Sequence, residues 1–240
     1  MKTTLNLFKR EFLGYFRSPV AYVYLVAFIL ASMTLALFKG KFMETNDASL
    51  LTLFEYQPII FLVFIPAIGM RLWSEEKRSG TWELLFTLPV TTVQAVMGKF
   101  LAAWAFILVA IVLTGTMVLT ISSLGSPDWG PVFTGYIGLF LMAGCCLSIA
   151  SLASALTKNQ VVSFVLSVVF TTILYMLGMN HFYNLLEQGI SGGFAEAISQ
   201  FSFVTHFNQF KIGVMALQNF LYFLSLGAFC LIANVVILER

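Results

Sequence analysis

Charge is what this chain has least of. Of 240 residues 10% are charged, 13 Lys or Arg and 11 Asp or Glu, against 59% apolar residues and a mean hydropathy of +0.91. Soluble domains average about 25% charged residues. A chain of this size cannot hide so much apolar surface from water in its own core. Soluble enzymes and soluble binding modules are excluded, and an integral membrane protein remains. The net charge of +2 says little about partners, because where the charges lie matters more than their sum, and no nucleic-acid partner is expected. Cysteine is also scarce. Cys145, Cys146 and Cys230 lie inside apolar runs without a C-x-x-C pattern, which excludes a redox or zinc motif and leaves them as small packing residues.

Catalytic motifs are missing as well. Gly40-Lys41 and Gly98-Lys99 are each followed by Phe, with no glycine five positions earlier, so no P-loop can cradle a nucleotide. There is no H-E-x-x-H motif and no nucleophile elbow. His181 and His206 read as interfacial residues on the outer side, not as metal ligands. The apolar runs are almost free of ionisable groups, whereas ion-coupled carriers usually keep some in the membrane. Glu55 is the one candidate, and it reads as the outer end of a span. The basic N-terminus is not expected to be a cleavable signal, because the apolar run behind it is too long.

What is present is a set of long apolar runs. A spanning helix needs about 20 mainly apolar residues. Spans are expected at residues 20–38, 50–72, 99–124, 132–156, 161–179 and 217–238. The second is the weakest, charge-free only over Tyr56–Met70 and interrupted by Pro58 and Pro66, so a kink is expected there. Six spans put both termini on one side. With that side inside, Lys2, Lys9, Arg10, Arg17, Arg71, Lys77, Arg78, Lys99, Lys158 and Arg240 are cytoplasmic, and Lys39, Lys41 and Lys211 are outside. This positive-inside bias predicts cytoplasmic termini.

Residues 3–17 read as an amphipathic helix on the cytoplasmic leaflet, its apolar face made by Leu5, Phe8, Phe12, Tyr15 and Phe16, with Ser18-Pro19 turning the chain into the membrane. Residues 180–216 carry two apolar stripes, Phe194, Ala197, Ile198 and Phe201, then Phe207, Phe210 and Val214. Backbone at membrane depth must satisfy its own hydrogen bonds, so short re-entrant helices are expected there.

Charge is concentrated in one place. Glu75, Glu76, Lys77, Arg78 and Glu83 stand within nine positions, interleaved with Trp82, Leu84, Leu85 and Phe86. Pro89 and a helix start at Thr91-Thr92-Val93-Gln94 follow. A segment presenting charge and apolar surface together suits docking into a groove on a partner.

The run Glu75-Glu76-Lys77-Arg78, Gly80-Thr81, Glu83, Leu84-Leu85, Pro89 and Gly98-Lys99 resembles the diagnostic stretch of the ABC-2 family of ABC transporter permeases. The elbow helix, six spans, a tight hairpin at Lys158-Asn159-Gln160 and outer helices before the last span extend the likeness over nearly the whole chain. Phe86-Thr87-Leu88-Pro89, Gly98-Lys99-Phe100-Leu101, His206-Phe207, Gly213, Tyr222-Phe223 and Leu238-Glu239-Arg240 are similar to the gliding-motility-associated and nitrous-oxide-reductase-maturation branch. Met215-Ala216-Leu217-Gln218 departs from that branch, which often has acidic residues there.

The resemblance implies a single all-α permease domain over residues 1–240, with an elbow helix, a cytoplasmic coupling segment at 73–98 and outer re-entrant helices. It implies an exporter or extractor in the inner membrane of a prokaryote. The partners would be a second permease copy, two ATPase subunits that bind ATP and Mg2+, and an outer-surface or periplasmic accessory protein. No cofactor is expected in this chain, and no enzyme activity of its own. The ATPase would meet Glu75, Glu76, Lys77, Arg78, Gly80, Thr81, Trp82, Glu83, Leu85 and Pro89, with Lys158, Asn159 and Gln160 as a lesser contact. Two other classes remain open on the sequence: a secondary transporter or channel without ATP coupling, and a non-transporting anchor of a maturation complex. A neighbouring gene for a P-loop ATPase separates the first reading from these.

Overall fold

Five helices begin on capping side chains. Ser18 Oγ accepts from the Val20 amide at 3.3 Å, and Asp128 Oδ1 accepts from Gly130 at 3.1 Å. Asn159 Oδ1 accepts from Val161 at 2.9 Å, and Ser202 Oγ from Val204 at 3.2 Å. Thr91 and Gln94 form a reciprocal capping box. A computed structural model of the chain describes residues 2–39, 50–81, 91–125, 127–179, 182, 184 and 192–239. Among these residues all regular structure is helical.

The helices are α1 Lys2–Arg17, α2 Pro19–Thr34 with a π-helical turn at Leu35–Lys39, α3 Leu51–Gly69, α4 Arg71–Ser79, α5 Thr92–Leu113 and α6 Thr116–Leu124. They continue with α7 Trp129–Leu156, α8 Gln160–Met176, α9 Gly192–Ser199, α10 Phe203–Lys211 and α11 Leu217–Leu238. Five stretches are long and apolar enough to cross a membrane: Pro19–Phe38, Leu51–Ser79, Thr92–Ser123, Trp129–Leu156 and Leu217–Leu238.

Three expectations change. The second span is not the short one. α3 holds Pro58 and Pro66 inside it, both buried, and after Met70 runs on into α4, so the charged segment starts as helix. The short one is α8, whose 17 residues rise about 26 Å against a core of about 30 Å. The third run is broken at Thr114-Gly115. Thr114 Oγ1 donates to the Ile111 carbonyl at 2.6 Å and the Gly115 amide to Val112 at 2.9 Å, which tightens the helix into a turn.

α7 is the axis of the bundle and touches α3, α4, α5, α8, α10 and α11. Its small residues let neighbours approach closely, the usual currency of helix packing in lipid. α8 turns Ser163, Ser167 and Thr171 inward, each hydroxyl of the last two bonded one turn back, and leaves Val161, Val165, Val169 and Ile173 outside. This is the reverse of a soluble amphipathic helix.

The tightest crossing is α3 on α7. A Cβ on Gly69 would stand 2.3 Å from Ala150 Cβ and 3.3 Å from the Ala150 backbone. Backbone cannot rotate away, so Gly69→Val is expected to lower stability by about 3 kcal/mol, the upper part of the usual overpacking range. Gly14→Val serves as control, since nothing lies within 4 Å of its Cβ position. Thermal melting in detergent reads the difference. Equal midpoints would mean that the crossing is not rigid.

Residues 192–211 form α9 and α10, and the expected stripes are met at Phe207 and Phe210 but not at Phe201 and Val214. Phe203, Phe207 and Phe210 are the fully buried stripe, while Phe201 is 65% exposed and Val214 lies beyond the helix end. Thr134 Oγ1 donates to the Phe210 carbonyl at 2.7 Å and anchors α10 on α7.

Candidate functional site at the charged end of the bundle

α4 is half wall and half lever. Leu72, Trp73 and Ser74 are buried, whereas Arg71, Glu75, Arg78 and Ser79 are exposed. Lys77 and Arg78 sit in the last turn, where the helix dipole favours cations. Gly80 ends the helix at φ +73, a left-handed cap that glycine adopts without strain.

Trp73 ties this lever to the bundle. Its side chain is fully buried, and its Nε1–H donates to Ser151 Oγ at 3.2 Å. The Trp73 and Ser74 amides donate to Ser154 Oγ at 3.1 and 3.0 Å. Ser154 in turn donates to the Met70 carbonyl at 2.8 Å, so one hydroxyl serves the chain on both sides of the α3–α4 join. Asn234 Nδ2 donates to Ser151 Oγ at 2.7 Å and brings in α11. The whole network is buried, so each bond also spares the cost of a stranded polar group.

Lys99 closes the site from α5. It is 5% exposed, donates to the Leu72 carbonyl at 3.2 Å, pairs with the Glu76 carboxylate and lies 5.0 Å from the centre of the Trp73 ring. Lys77 Nζ donates to the Ala155 carbonyl at the end of α7. Two residues expected to face a partner therefore turn inward. Glu76 pairs with Lys99, and Lys77 bonds α7, because a lysine ammonium beside buried backbone must find acceptors in the chain. Glu75, Arg78, Gly80, Thr81, Lys158 and Asn159 are exposed, and Gln160 is the first residue of α8. Trp82, Glu83, Leu85 and Pro89 lie outside the described residues.

α1 braces the same end. Phe12, Tyr15 and Phe16 pack against the core, with Tyr15 stacked on Phe106 at 4.9 Å. Phe8 stacks on Phe12 at 5.7 Å. The Tyr15 phenol is raised by burial and then by Glu11, with Arg71 and Glu75 of α4 acting on it in opposite senses. Leu5, expected in the apolar face, is 52% exposed, and Leu7 is buried against Gly98 instead.

Sequence reasoning missed Trp73, Ser151, Ser154 and Asn234. The available signal was Ser151 and Ser154 at i, i+3 on a small-residue helix. It also misplaced His206, which is 4% exposed between α10 and α11. Its Nε2 donates to the Gln200 carbonyl at 3.0 Å, and Nδ1 meets the Asn219 amide at 2.8 Å, which also bonds Gln209 at 2.9 Å. Tyr222 stacks on the ring at 4.0 Å. His181 lies outside the described residues. Among the described residues no group of three His, Cys, Asp or Glu could hold a metal ion. The site has the build of a mechanical joint, with an exposed charged face on one side and a buried weld to three helices on the other.

A family model described as ABC-2 family transporter protein matches residues 7–178. The chain belongs to the ABC-2 family. The match runs from Leu7 in α1 through α8 and takes in the whole joint except Asn234. No curated protein matches the chain. As an ABC-2 family member it is a multi-pass membrane protein, the permease component of an ABC transporter, which associates with an ABC ATPase.

Proposed function

We propose that this permease converts ATP-driven closure of a separate ATPase pair into substrate movement out of the membrane or across it, as an exporter or extractor. The observation that carries the proposal is the joint at Trp73. A push on the exposed face of α4 reaches α5 through Lys99, α7 through Ser151 and Ser154, and α11 through Asn234. Chains of packed side chains and buried hydrogen bonds of this kind can carry coupling between distant sites. In this reading the ATPases hold ATP and Mg2+ and dock on Glu75, Arg78 and the segment through Trp82, Glu83, Leu85 and Pro89, with Lys158, Asn159 and Gln160 as the second contact. α8 is the fifth of six spans, α1 is the elbow, α9 and α10 re-enter the outer leaflet, and both termini are cytoplasmic in a prokaryotic inner membrane. Two copies of the chain form the pathway. The motility and nitrous-oxide-reductase-maturation branch is the nearest fit of its motifs.

The test is retention of the partner ATPase by a Trp82→Ala, Glu83→Ala double variant. A truncated interface anchor costs about 2 kcal/mol, and a truncated charge contact about 2–5 kcal/mol. Together they come to about 4 kcal/mol or more and predict a loss of affinity of at least about 500-fold, since about 1.4 kcal/mol is tenfold. Glu196→Gln, on the exposed surface of α9, should bind like the wild type. Wild-type binding and coupling by the double variant would reduce the segment to a solvated connector.

A further inference from the structure

A furrow of about 860 Å³ runs between α1 and α5 and ends on α7. Its floor is apolar: Leu101, Trp104, Ala105 and Leu108 of α5, with Phe140 of α7. Trp104 stacks flat on Phe140 at 4.2 Å, and its Nε1–H is bonded to the Phe140 carbonyl at 3.0 Å, so it shows the furrow an apolar face. Leu5 and Phe8 of α1 form the roof, and the polar groups of the lining, Thr4 and Gln94, lie at one end.

Length and charge define the occupant. From Gln94 to Leu108 the furrow follows α5 for about 21 Å. It passes from the capped first turn into the charge-free run that must lie in hydrocarbon. Half of a bilayer core is about 15 Å, which leaves a few ångströms for a headgroup at the polar end. Lys9 is exposed one helical turn after Leu5, and a helical side chain leans back over the turn before its own Cα, toward Thr4. Arg10 is paired with Glu11 at 2.8 Å, the one acid of α1, whereas Lys9, four residues after Leu5, is an exposed cation on the roof side of the helix.

We infer that this furrow holds one anionic phospholipid, its acyl chain along Leu101–Leu108 and its phosphate between Thr4, Gln94 and Lys9. Such a lipid would complete the packing of α1, whose apolar roof residue Leu5 is otherwise half bare. The inference rests on the membrane reading of the chain and not on ATP coupling, so either can fail without the other.

The test is native mass spectrometry of the purified full chain after exchange into detergent containing equal phosphatidylglycerol and phosphatidylcholine. One phospholipid per chain is expected to remain. Phosphatidylglycerol should be favoured about fivefold, the ratio conferred by about 1 kcal/mol from one lysine near an anionic surface. Lys9→Gln should abolish the preference while keeping a bound lipid. Ala105→Trp, which fills the furrow, should abolish retention, with Leu113→Trp on the exposed end of α5 as the size control that retains it. Retention without headgroup preference in the wild type, or a preference unchanged in both variants, overturns the inference. So does efficient cross-linking of Leu108→Cys between two copies, which would make the furrow a protein interface.

Discussion

Lys99→Met is expected to melt the purified protein far below the wild type, with a loss of about 3 kcal/mol. Removing one partner of a buried ion pair costs about 3–5 kcal/mol, because the other charge is left stranded. The lower end applies here, since the Glu76 side chain keeps 22% of its surface exposed and is less fully desolvated than its partner. The pair is nonetheless strongly buried on the lysine side, at 6%. Glu76 Oε2 is enclosed without a partner among the described residues, so the carboxylate leans on Lys99 through its other oxygen. Lys99→Met with Glu76→Gln should recover most of the loss, since an uncharged pair of similar volume carries no stranded charge. A double variant as unstable as the single one would place the cost in packing against Trp73 and not in charge.

The second large effect belongs to Trp73. Trp73→Ala removes a fully buried indole and should cost about 3–5 kcal/mol. It also removes the donor to Ser151 and the ring beneath Lys99. Trp73→Phe separates the terms, since it keeps most of the volume and loses the hydrogen bond, for about 1 kcal/mol. The functional expectation is distinct from either stability loss. With the weld loosened, the ATPase should still bind the exposed face of α4, but hydrolysis should drive less substrate movement. Reconstituted vesicles measure both at once. Transport per ATP unchanged in Trp73→Phe and in Ser151→Ala would remove the joint from the coupling route.

Much of the helical plan was legible from local signals. The run expected at residues 217–238 is helix Leu217–Leu238, and residues 132–156 lie within Trp129–Leu156. Thr91 caps its helix at the position the turn residues indicated. The charged segment was harder. Glu75 to Arg78 ride on α4, because a helix emerging from the bundle can carry charge on its open side and still bury Trp73. The helix expected over residues 3–17 is matched by α1 Lys2–Arg17, but the contact with Gly98 falls to Leu7, which lies outside the expected apolar face.

The sequence by itself determined that the chain lives in a membrane, roughly where its helices begin and end, and where its charge gathers. Those properties depend on apolar run length and on caps, which act between a side chain and amides two or three positions away. The tertiary structure decided which charges face water and which hold the bundle together. Lys99 finds Leu72 at a separation of 27 residues, Trp73 finds Ser151 at 78, and Met70 finds Ser154 at 84. No periodicity within one helix encodes such partners. They follow from the order in which helices pack around α7, where a buried donor bonds whatever acceptor the neighbouring helix presents.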